Sequence, residues 1–265
     1  MTTIATGSAR TPHEDKQREV QRSALRNLVA TEARLLLREP VPLLWGVAVP
    51  IVLLSVMGGF SHGPEASLGG LSLVATYEPI LIAFTISTFA LQGLAPVLAG
   101  YRERGILRRL DATPVGAGRL LLAQLVVNIA VTLVATLGIL VVGDAAFGVP
   151  LPGQALGFAL ALVLTSTAML TLGLLIASVA RTGRVAGAAG TMIFLPLMFF
   201  AGLWLPQATM SAGLRRVGQG TPLGASVSAL QHALSGQWPT VGGLALLAGY
   251  TAVFGLLAWR LFRWE

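Results

Sequence analysis

The chain has 265 residues, of which 54% are hydrophobic and 11% charged, and its net charge is +7. A soluble globular domain carries about 25% charged residues, so these charges are too few to cover a water-facing surface, and they cluster between long uncharged stretches. There is no cysteine, which excludes disulfides and thiol chemistry; the basic residues sit in the connections between apolar runs, which argues against a nucleic-acid partner.

Residues 1–21 read as a polar cytoplasmic tail. The first forty residues lack the short apolar core and small-residue cleavage site of a secretory signal, so the first apolar segment is expected to stay as an anchor. Over 22–38, Arg26, Asn27, Thr31, Arg34 and Arg38 share one side of a helical wheel, while Leu25, Leu28, Val29, Leu35 and Leu36 share the other. Only Glu32 and Leu37 break the pattern. This predicts an amphipathic helix lying on the membrane interface.

A spanning helix needs about 20 mostly apolar residues. Six segments qualify: 41–60, 80–100, 120–142, 155–180, 186–205 and 241–259, none containing Asp, Glu, Lys or Arg. The fold expected is an all-α integral membrane protein with six transmembrane helices. Glu78 and Asp144 fall at span margins and read as solvated boundary charges. The connection 101–119 continues the second span as a helix through Leu110 until Thr113-Pro114 breaks it. In the loop 206–240 two helical segments, too short to span, are expected on the outer side, lying on the surface or dipping into it.

Sixteen Lys and Arg residues lie in 1–40, 101–119, 181–185 and 260–265, against two in 61–79, 143–154 and 206–240. By the positive-inside rule both termini, including the tail 260–265, are cytoplasmic and the loop 206–240 is outside. The location expected is the cell's inner, or plasma, membrane.

The only lysine, Lys16, follows Asp15 in a glycine-free stretch, so the chain has no phosphate-binding loop of the Walker type. No span carries an ionisable group of the kind proton relays use, and no nucleophile–base set or metal-ligand spacing is present. No catalytic, cofactor or metal residue is expected. Polar residues do share faces: Thr85, Thr88 and Gln92 on the second span, Gln124, Asn128, Thr132 and Thr136 on the third, and Thr167, Thr171 and Ser178 on the fourth. These read as interhelical hydrogen bonding or as a substrate path, the latter for Thr85, Thr88 and Gln92. Gly183, Gly187 and Gly190 read as close helix packing. A stand-alone secondary transporter or membrane scaffold is the alternative to a transport subunit.

Arg102-Glu-Arg-Gly105 and Leu107-Arg-Arg-Leu-Asp-Ala-Thr-Pro-Val115 resemble the first cytoplasmic loop of the type-2 ATP-binding-cassette exporter permeases, closest to their daunorubicin-exporter-like, drug-resistance branch. Phe199-Phe-Ala-Gly-Leu-Trp-Leu-Pro206 resembles the end of their fifth span. Leu214-Arg-Arg-Val-Gly with Thr221-Pro222-Leu223 resembles the outer loop that follows, although Ser211 and Gly213 stand where Pro and Trp are common. The resemblance implies a permease paired with a second copy in the lipid bilayer, and a separate ATPase docked on the cytoplasmic face with ATP and Mg bound there. It implies export of an amphipathic small molecule, drug or lipid-linked substrate by alternating access. It also implies that 101–119 is the coupling loop, with Arg102, Glu103, Arg104, Arg108, Arg109, Asp111, Thr113 and Pro114 at the ATPase, and that the interfacial helix touches the ATPase too.

Overall fold

The computed structural model describes residues 12–60, 67–68, 71–113 and 116–261. Pro114, residues 1–11 of the expected tail and residues 262–265 lie outside the described residues. The first helix, α1 (Pro12–Arg38), starts ten residues ahead of the expected 22. Pro12 stands at its first position, where the missing N–H costs nothing. It stops at Glu39, which is extended (φ −95°, ψ 99°), the conformation a following proline imposes. Pro40 then opens α2 (Pro40–Gly59), the first span.

Strands β1 (Ser67–Leu68) and β2 (Leu71–Ser72) form a minimal antiparallel hairpin. The Ser72 hydroxyl accepts the Ala75 N–H at 3.2 Å and so caps α3 (Leu73–Glu103). After the short α4 (Ile106–Asp111) come α5 (Ala117–Phe147), α6 (Ala155–Val179), α7 (Gly183–Ala201), α8 (Ala212–Gly220), α9 (Pro222–Leu234) and α10 (Val241–Leu261). Six of these, α2, α3, α5, α6, α7 and α10, are long and apolar enough to cross a membrane. Apart from the hairpin the described chain has no strands, and the all-α, six-span fold is the one observed.

The core lies around α3. Of its apolar stretch 83% is buried, against 22% for α2 and 11% for α10, so α2 and α10 leave most of their surface uncovered by the single chain. Two helices widen into π turns, at Leu44–Ala48 in α2 and Thr88–Leu94 in α3. Each lies just ahead of a proline, Pro50 or Pro96. Proline donates no backbone hydrogen bond and crowds the carbonyl of the preceding turn, and a widened turn accommodates both defects. In α3 this turn is clasped by glycines of two neighbours. A Cβ on Gly173 of α6 would meet the Ala90 carbonyl oxygen, and one on Gly190 of α7 would meet that of Leu91. Gly183 likewise lies against the Pro96 carbonyl, whereas a Cβ at Gly187 would find only an ordinary 3.8 Å contact.

The short helix α9 does not rest on the bundle's end. It is inserted among α3, α6, α7 and α10, and Pro222–Val227, Ala229, Leu230 and Ala233 are all buried. The Gln207 amide holds the approach by donating to the carbonyls of Phe200 (3.1 Å) and Gly224 (3.2 Å). The Tyr250 hydroxyl of α10 donates to Gly220 at 2.6 Å.

Candidate functional site

The helix α3 ends because Gly105 takes a left-handed conformation (φ 66°), open mainly to glycine. The chain turns into α4, whose Leu107 is fully buried against Leu28 of α1 and Ala117 and Leu120 of α5. That one apolar peg seats the short helix. Arg108, Arg109 and Asp111 are exposed. The Thr113 hydroxyl donates to the Leu110 carbonyl at 2.6 Å and closes the C-terminal end. Gly116, also at positive φ (71°), leads into α5.

Arg102, half-buried, and Glu103, exposed, are tied to the bundle instead. Their partners are the two helix ends that meet at the α6–α7 turn. The Arg102 guanidinium donates to the carbonyl oxygens of Ser178 (2.8 Å) and Ala180. The Glu103 carboxylate accepts the N–H of Gly183 at 3.0 Å. A cation thus meets the C-terminal end of α6 and an anion the N-terminal end of α7, each matching the local helix dipole. Hydrogen bonds to charged groups contribute about 1.5–3 kcal/mol. Arg104 folds back: its Nε donates to Gly100 at 3.1 Å and its guanidinium lies 5.6 Å from the centre of the Tyr101 ring.

A second cluster escapes sequence reasoning. Glu32 is only 6% exposed. Its carboxylate accepts from the Tyr101 hydroxyl (3.1 and 3.0 Å) and from the Gln124 amide (2.6 Å). The Asn128 amide donates to the Gln124 carbonyl at 2.8 Å. Burial pushes the Glu32 carboxyl above its ordinary value; the Tyr101 hydrogen bond opposes this and the charge of Glu39 adds to it. The cluster floors a cavity of about 260 Å³ between α1, α3 and α5. The signal was present: Glu32 is the one acid that breaks the apolar face of α1, and Gln124 and Asn128 head the polar row of the third span.

Thr85, Thr88 and Glu78 are all buried in α3. Thr85 (0% exposed) and Thr88 (2%) are enclosed on all sides, and their hydroxyls have no hydrogen-bond partner among the described residues. Gln92 beside them is half-buried. Glu78 is not a solvated boundary charge. Since α3 begins at Leu73, Glu78 lies within the helix at 2% exposure, with Oε1 beside Gly143 and Oε2 unpartnered. Asp144 is exposed.

A family model described as ABC-2 type transporter matches residues 23–234. The chain belongs to the ABC-2 type transporter family. The match takes in α1 to α9, hence the α4 turn, the Arg102–Glu103 bracket and the Glu32 cavity, and stops before α10. No curated protein matches the chain. As a member of the family it is a multi-pass membrane protein, the membrane permease part of an ABC transporter.

Proposed function

We propose that this ABC-2 permease is the membrane half of an ATP-driven exporter of the drug-resistance branch, moving an amphipathic small molecule, drug or lipid-linked substrate out of the cell. Two copies pair in the plasma membrane with both termini cytoplasmic. ATP and Mg bind to the partner ATPase, which docks on α4. The observation that carries this reading is the pairing of an exposed face with a bracket to two other spans. Arg108, Arg109 and Asp111 are exposed and free to meet a partner's surface, while Arg102 and Glu103 fasten the same connection to the junction of α6 and α7. A push on α4 would then reach three spans at once, as alternating access requires.

The test is co-purification of the chain with a candidate ATPase, followed by ATP hydrolysis with and without amphipathic compounds. Stimulated hydrolysis supports the exporter. Transport by the chain alone, driven by an ion gradient, would instead favour the secondary transporter.

A further inference from the structure

The cavity at the α1–α3–α5 junction has a polar floor and an apolar wall. Glu32, Gln124 and Asn128 form the floor, Leu36, Val97 and Val127 stand in the wall, and Glu39 lines it as an exposed residue. Two carboxylates therefore line a space of about 260 Å³, enough for a compact headgroup and the first methylenes of a chain but not for a whole drug-sized molecule, whose pockets run to roughly 300–1,000 Å³.

The charge balance is one-sided. Glu32 takes its hydrogen bonds from neutral donors, a phenol and an amide, and no described cation pairs with it. Arg104, the one cation in the lining, already donates to Gly100 and rests on the Tyr101 ring. A buried carboxylate without a counter-charge is costly, and a cation entering the cavity removes that cost. The apolar wall gives such a cation's tail a place to lie.

We infer that this cavity binds the head of a cationic amphiphile, an organic ammonium on an apolar chain, with the Glu32 carboxylate as its counter-charge and Glu39 assisting. The inference rests on the exporter reading for the direction of arrival, the inner leaflet. Ile106 of α4 lines the same cavity, and Tyr101 belongs both to it and to the cluster that seats Leu107. Occupancy is thereby linked to the seat of the coupling helix.

The chain's lack of cysteine makes the test clean. A single cysteine at Val97, in the cavity, is labelled with a neutral thiol reagent in maltoside micelles, with Val253→Cys on α10 as the control. Decyltrimethylammonium should slow labelling at Val97→Cys by about tenfold, the scale of one charge-assisted contact, and leave Val253→Cys unchanged. Glu32→Gln should abolish the protection. Acidification should weaken protection in the native background and not in Glu32→Gln, because protonated Glu32 offers no charge. Among the lining residues the other charged or titratable groups are Glu39, Tyr101 and Arg104; α5 presents only amides. Should Glu32→Gln fail to fold, the exposed Glu39→Gln must still reduce protection. Equal protection by a neutral decyl chain, or undiminished protection in both Gln variants, would overturn the site.

Titrating in phosphatidylethanolamine separates the two sources of such a head. Protection by that lipid alone identifies a membrane amine; protection by decyltrimethylammonium alone identifies a substrate-like amine; each supports the site. No ATPase is present in this assay, so its result stands apart from the co-purification experiment.

Discussion

Glu103 caps the helix that begins at Gly183, its Oε2 accepting that residue's backbone N–H at 3.0 Å, and the adjacent Arg102 caps the helix that ends at Val179. Neighbours in sequence thus hold opposite ends of two consecutive spans. Arg102→Ala removes two charge-assisted hydrogen bonds and leaves two carbonyls without a donor. It should cost about 2–3 kcal/mol, read as a lower melting temperature in detergent. Glu103→Gln keeps the shape and loses the charge, so its melting should move much less. On the exporter reading its transport should fall more than its stability. An Arg102→Ala variant that melted like the parent would show that the α6–α7 turn is held without it.

The helix α4 separates seating from presentation. Leu107→Ala removes the buried peg and should destabilise by about 2–4 kcal/mol. Arg108→Gln with Arg109→Gln changes exposed side chains and should leave melting unchanged, since exposed charges contribute little to folding. If the ATPase docks there, the double variant should weaken its association at least about tenfold and show less dependence on salt. Native affinity in the double variant would mean that these arginines mark topology only.

Six spans were legible because each is an uncharged run of about the bilayer's length, a signal that needs no tertiary knowledge. Legibility ended where partners are distant. Arg102 and Ser178 are 76 positions apart and Glu103 and Gly183 are 80, so the charges of 102–103 looked no different from those of 108–109. Glu78 was misread for a local reason: the Ser72 cap and the hairpin before it set the start of α3, and neither is an apolar signal. The shared face of Thr85, Thr88 and Gln92 follows from helical spacing, but spacing cannot tell how deeply the fold buries Thr85 and Thr88. Glu32 was visible as a flaw in a pattern, and only the fold supplies Tyr101 and Gln124 to explain it.

Orientation has a direct check. Cysteines placed singly at Ala146 and Gln237, both exposed, should react with an impermeant thiol reagent added to intact cells. A cysteine at the exposed Thr113 should react only after the cells are opened. The reverse pattern would invert the topology on which docking at α4 depends.

Buried Glu32 gives a stability-versus-pH expectation. Its folded pKa lies above the ordinary glutamate value of 4.5, so between the two the folded state binds more protons than the unfolded one. The linkage relation then makes stability fall as pH rises through that window. The cost is absent below 4.5 and complete above the folded pKa. Glu32→Gln should flatten this segment of a melting-temperature profile and raise its alkaline end. A native profile that rises with pH across the window would mean that another carboxyl, with a depressed pKa, dominates.

The glycines of α6 and α7 offer a comparison within one kind of substitution. Gly173 and Gly190 lie where a methyl group would strike the Ala90 and Leu91 carbonyl oxygens. These are backbone atoms of a helix enclosed on all sides, so they cannot swing away as a side-chain tip would. Gly173→Ala and Gly190→Ala should each cost at least about 1–3 kcal/mol, the scale of overpacking a tight core, and α3 must shift to admit them. Gly187→Ala puts its methyl 3.8 Å from the Pro96 Cβ, an ordinary contact, and replaces a poor helix former with a good one. It should be neutral or mildly stabilising. The expected order of melting temperatures is Gly187→Ala at or above the parent, with Gly173→Ala and Gly190→Ala well below. Equal loss in all three would trace the effect to small-residue content and not to the clasp around the π turn. Normal melting of Gly190→Ala would mean that α7 does not approach the Leu91 carbonyl, and with that contact would go the explanation of why the widened turn is tolerated in the most buried helix of the bundle.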